Sequence, residues 1–80
     1  MTEQQRDARR VLDSAKLIFD GRSPGRDMGA IMTTLEGVVA LVLLAVMGND
    51  ARRAAGMLNE ALTPSVESRI AAVAARRTRA

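Results

Sequence analysis

The chain has no cysteine, no histidine, no tryptophan and no tyrosine, and it holds one phenylalanine (Phe19) and one lysine (Lys16). Each absence removes something. Without cysteine there are neither disulfides nor thiolate metal ligands to reinforce a small fold. Without histidine the chain loses the usual neutral-pH base and the commonest metal ligand. With one aromatic ring it cannot build the stacking platforms that hold single-stranded nucleic acid. No cofactor and no metal site is therefore expected.

What remains is 80 residues, 48% of them hydrophobic, with a net charge of +3 carried almost wholly by arginine. That length sets one domain, 1–80, with a small core and little stability to spare, and chains of this kind often gain stability by oligomerising. The charge permits a polyanionic partner without requiring one. The polar start "MTEQQRDARR" has no apolar segment behind it, so no secretory signal is expected and a cytoplasmic setting is.

Helical periodicity runs through the chain and no strand pattern interrupts it, so the class is all-α. A first helix is predicted over 3–20, capped by Thr2 in a Thr-x-x-Gln box with Gln5. Ala8, Val11, Leu12, Ala15, Ile18 and Phe19 form its inner stripe. Arg6, Arg9, Asp13, Lys16 and Asp20 form a solvated one, with Arg9–Asp13 and Lys16–Asp20 spaced to pair. Gly21 ends it, and the loop 21–27, "GRSPGRD", lacks the strand and the lysine of a phosphate-binding loop.

Asp27 is placed to cap a second helix over 28–47, ended by Gly48. From Gly37 to Met47 this helix is apolar on every side, so it must be surrounded. A membrane span is the competing reading. Glu36 would then lie near the bilayer centre, at ~2.5–3.5 kcal/mol on insertion scales, and no aromatic anchors flank it. A central core helix, partly covered by a second copy of the chain, is the expectation. The small residues Gly29, Thr33, Gly37 and Ala40 would let another backbone approach.

Asn49 and Asp50 cap a third helix over 51–62, with Ala54, Ala55, Leu58, Ala61 and Leu62 inward and Arg52, Arg53, Gly56, Asn59 and Glu60 outward. In "LTPS", Thr63 as cap and Pro64 at the first helical position predict a fourth helix over 64–77, burying Val66, Ile70, Val73 and Ala74. The resulting four-helix domain ends in a helical hairpin whose alanines, leucine, valine and isoleucine are similar to a helix-turn-helix. The span between Leu58 and Val66 is about one residue longer than in that motif, and the usual turn glycine is missing. The resemblance implies DNA contacts from Ser65, Ser68 and Arg69 at the start of the last helix, with Glu67 and Ala72 on the same face. Arg52, Arg53, Arg76, Arg77 and Arg79 would hold phosphates.

Catalysis has little to stand on. Ser14, Ser23, Ser65 and Ser68 lack a histidine, the carboxylates do not fall at metal-ligand spacings, and Glu36 is the one acid bordering an apolar run. The expected function is a small non-enzymatic interaction module, a regulator, adaptor or inhibitor. It would bind a protein partner through helix faces, as a homodimer. The candidate contact residues are Arg52, Arg53, Gly56, Met57, Ser68, Arg69, Ala72 and Ala75, with Leu17 and Ala71 as exposed additions. DNA binding by the hairpin is the alternative, and a membrane-associated protein the third reading.

Overall fold

A computed structural model describes residues 1–78, and the regular structure among them is entirely helical. There are three helices: α1 (Glu3–Phe19), α2 (Met28–Val46) and a long α3 over 51–78. The expected third and fourth helices are one. Residues Ala51–Met57 and Thr63–Thr78 are α-helical, and Leu58–Leu62 between them is a wider π turn, so the backbone passes Pro64 without a break.

Pro64 has no N–H to donate, and its ring would press on the carbonyl four residues back in an α-helix. The π turn accommodates both. Thr63 donates its backbone N–H and its hydroxyl to the same acceptor, the Leu58 carbonyl, the hydroxyl at 2.8 Å. Prolines are a recognised cause of such local widening. The hairpin anticipated at "LTPS" is thereby replaced by a rod, and the turn of a helix-turn-helix is not formed.

The described chain divides within α2 into two units, Met1–Val39 and Ala40–Ala80. In the first, α1 opens with the expected capping box: Gln5 N–H donates to Thr2 Oγ1 (3.2 Å) and Thr2 N–H to Gln5 Oε1 (2.9 Å). Arg9 and Asp13 pair at 3.9 Å. Lys16 and Asp20 do not, because Asp20 turns into the left-handed region (φ 50) and donates its backbone N–H to the Lys16 carbonyl. Gly21 follows at φ 71, a conformation that favours glycine.

Asp27 does not cap α2 with its side chain. Its carboxylate turns back into the loop, accepting from Ser23 N–H at 2.9 Å and from Arg26 at 3.3 Å. Its carbonyl accepts from Ile31 N–H.

In the second unit α2 ends at Val46, and Gly48 and Asn49 both adopt φ 64. Asp50 then caps α3 as expected, its carboxylate accepting from Arg53 N–H at 3.0 Å. Leu43 and Leu44 on α2 and Met47 just beyond it are half-buried, as are Ala54, Gly56, Met57 and Leu62 on α3. Ala55, Leu58 and Ala61, expected inward, are exposed.

Candidate functional site

Among the described residues only Ile31 is buried, at 8% exposure. A chain with this many large apolar side chains normally hides most of them. Here Val11, Leu12, Met28, Leu41, Val46 and Ile70 are each more than half exposed. The apolar faces that the helices present are therefore the candidate site, and there are three of them.

The first lies between α1 and α2. Ala15, Ile18 and Phe19 on one helix and Met28, Ile31, Met32 and Leu35 on the other, with Pro24, line a groove of about 360 Å³ that includes no polar side chain. Arg22 ties its two walls together. Its guanidinium donates to the Ile18 carbonyl at 2.6 Å, to the Phe19 carbonyl at 3.0 Å and to Thr34 Oγ1 at 3.1 Å. Cationic side chains suit the carbonyls that a helix leaves unpaired at its C-terminus.

Asp27 stands in the same loop, and its carboxyl is held below the ordinary aspartate range. The Ser23 N–H does most of this, the Arg26 guanidinium adds to it, and the Arg22 charge contributes a little.

The second face is α2 itself, 19 residues with mean hydropathy 2.1 and only 6% of its apolar stretch buried. By length and composition it could cross a membrane. Glu36, however, sits eight residues inside its N-terminal end with an exposed side chain that forms no ion pair among the described residues.

The third face runs along Thr63–Thr78. Val66, Ile70, Val73 and Ala74, expected to be buried, are all exposed, because α3 does not fold back at Pro64. Arg69, Arg77 and Thr78 border this strip.

Of the residues singled out from the sequence, Arg52, Arg53, Ser65, Ser68, Arg69, Ala72, Ala75, Arg76 and Arg77 are exposed. Gly56 and Met57 are half-buried instead. Arg79 lies outside the described residues. The continuous helix keeps Arg52 and Arg69 about 25 Å apart along its axis at 1.5 Å per residue, so the arginines do not gather at one point as a hairpin would have gathered them.

Arg22 was not visible as a functional residue. Its only signal was an arginine immediately after the helix-ending glycine. The groove residues were visible as apolar, but their spacing could not say whether the chain itself covers them.

Among the described residues no group of three His, Cys, Asp or Glu side chains converges as metal ligands would. Comparison with known proteins yields no matching family model, no matching curated protein and no matching solved structure.

Proposed function

We propose that this chain is a non-enzymatic interaction module that completes its core by packing its exposed helix faces against other protein, including a second copy of itself. One observation carries this reading: among the described residues a single buried side chain supports three helices whose apolar stripes otherwise face solvent. Contiguous exposed apolar surface of this kind marks an interaction site. Apolar and small residues would supply contact area, and the arginines of α3 would set orientation and partner choice.

A membrane reading rests on the hydropathy of Met28–Val46. Against it stands Glu36 inside that span, where an acid costs ~2.5–3.5 kcal/mol. DNA binding loses the turn on which its motif depends and keeps only scattered arginines.

The test is sedimentation of the full chain in detergent-free buffer beside flotation with phosphatidylcholine vesicles. A soluble assembly that stays out of the lipid fraction supports the interaction module. Quantitative flotation, with loss of solubility in the absence of lipid or detergent, replaces it with the membrane reading. Anisotropy of a labelled mixed-sequence duplex checks the remaining alternative, since contact with several phosphates would make affinity fall steeply, by ~10³-fold, between about 50 and 200 mM salt.

A further inference from the structure

The net charge of the chain is not spread evenly along it. Residues 1–62 hold eight arginine or lysine side chains against eight acids, whereas residues 63–80 hold four arginines against Glu67 alone. The whole excess of +3 therefore belongs to the last stretch. Arginines of the first unit have acidic partners: Arg6 pairs with Glu3, Arg9 with Asp13, Arg10 with Asp7 and Arg26 with Asp27. Arg69, Arg76 and Arg77 form no ion pair among the described residues.

These arginines border an apolar seam. Val66, Ile70 and Val73 recur at intervals of four and three residues on α3 and are 41%, 62% and 37% exposed. At 3.6 residues per turn the three side chains fall within about 60° of one another. Arg69 and Arg76 line one edge of the seam, and Arg77 takes the next position along it. Glu67 lies on the opposite edge.

A seam this narrow is the pattern by which one helix packs along another, whereas a helix lying in a lipid surface needs a wider apolar face. The phosphates of a nucleic acid would satisfy the arginines but leave the seam uncovered. A second copy of the strip is also a poor match. Side by side and antiparallel, the Arg69–Arg76 edge would meet itself. In parallel it would meet Ala74, and Arg77 would meet its own counterpart.

We propose that this strip takes a helix of a different protein, one with an apolar seam of the same spacing and acidic side chains along the edge that faces Arg69 and Arg76. This rests on the interaction-module reading above and specifies the chemistry of the partner that α3 receives. Val66, Ile70 and Val73 give contact area, and the arginines give sign and direction, since flanking charges decide which helices pair. Thr63–Thr78, with 16 residues, is about 24 Å long. That is a little over two heptads, the scale of a small, transient contact.

Fluorescence anisotropy of the full chain with a labelled synthetic helix tests this. The probe has about three heptads, with isoleucine and leucine in its seam and glutamate on both edges, and a second probe carries lysine on both edges. The glutamate helix is expected to bind at least about 10-fold more tightly than the lysine helix, and to weaken as salt rises from about 50 to 500 mM, because exposed pairs are screened. Arg69→Glu combined with Arg76→Glu should weaken its binding at least about 10-fold, and Ile70→Glu should abolish it. Arg9→Glu combined with Lys16→Glu changes the net charge by the same amount on α1 and should leave binding unchanged. Far-UV circular dichroism verifies that each variant keeps its helices.

Equal weakening by the α1 pair would reduce the effect to overall charge and overturn the proposal. Equal binding of the two probes, or none of the glutamate helix, overturns it too. Binding to phosphatidylglycerol vesicles or to a labelled duplex, lost on reversing Arg69 and Arg76 and without binding of the glutamate helix, assigns the strip to a lipid surface or to nucleic acid instead. None of these failures decides the interaction module, which self-assembly of the full chain in sedimentation tests separately.

Discussion

Arg22 makes three hydrogen bonds from one guanidinium, two to the last carbonyls of α1 and one to Thr34. Arg22→Ala removes all three and leaves partly buried carbonyls to water, which costs about 1–2 kcal/mol. Urea unfolding of the two proteins measures the difference, and Arg22→Lys should recover less than half of it, because an ammonium cannot reproduce the fork.

Asp27 makes an acid-side prediction. Its folded pKa is lowered, so its contribution to the loop is complete above the ordinary aspartate value of about 4 and is lost as pH falls through the lowered one. A carboxyl carbon-13 titration should place Asp27 below the ordinary aspartate value. Asp27→Asn should flatten that part of the stability profile. At the start of the chain, Thr2→Ala should cost α1 about 1 kcal/mol through loss of the capping box.

At the scale of the element, Pro64 is the feature that separates expectation from outcome. A proline after a threonine reads equally as the start of a helix or as an obstruction within one, and the distinction depends on whether the carbonyl four residues earlier can move aside. Here it does, through the π turn at Leu58–Leu62. Pro64→Ala removes the obstruction and should stabilise α3 by about 1–3 kcal/mol, less than or equal to the full proline–alanine difference, read as a higher thermal midpoint by circular dichroism.

The helix boundaries were legible wherever a single side chain bonds a nearby backbone group, as Thr2 and Asp50 do, or where the backbone needs a left-handed residue, as at Gly21 and Gly48. The inner faces were legible only as periodicity. Ala8, Val11 and Leu12 carry the pattern of a core stripe and yet are exposed, since a stripe specifies that something packs against it and not which molecule supplies the partner. In the second unit Leu43 is half-buried, and Leu43→Glu should unfold the α2 end or disrupt any assembly that covers it, detected as lost helicity or a changed sedimentation coefficient.

For the molecule as a whole, one buried side chain among the described residues means that, under the proposed interaction-module reading, most hydrophobic stabilisation comes from association. Folding and assembly are then linked by mass action, and the thermal midpoint should rise with protein concentration. Melts recorded at two concentrations a hundredfold apart check this, and coincident curves would show instead that the single chain is stable by itself.

The widened turn of α3 also has a consequence for geometry. A π turn takes up one extra residue, so every residue beyond it sits about 100° behind the position an unbroken α-helix would give it. Arg52 and Arg53 precede the turn, and Val66, Ile70 and Val73 follow it. A single rod thereby carries two bearings, set by a one-residue phase step. Returning this turn to α geometry at unchanged length, as Pro64→Ala would allow, would rotate one face against the other by about 100°, making the angle between them a quantity that a single turn sets.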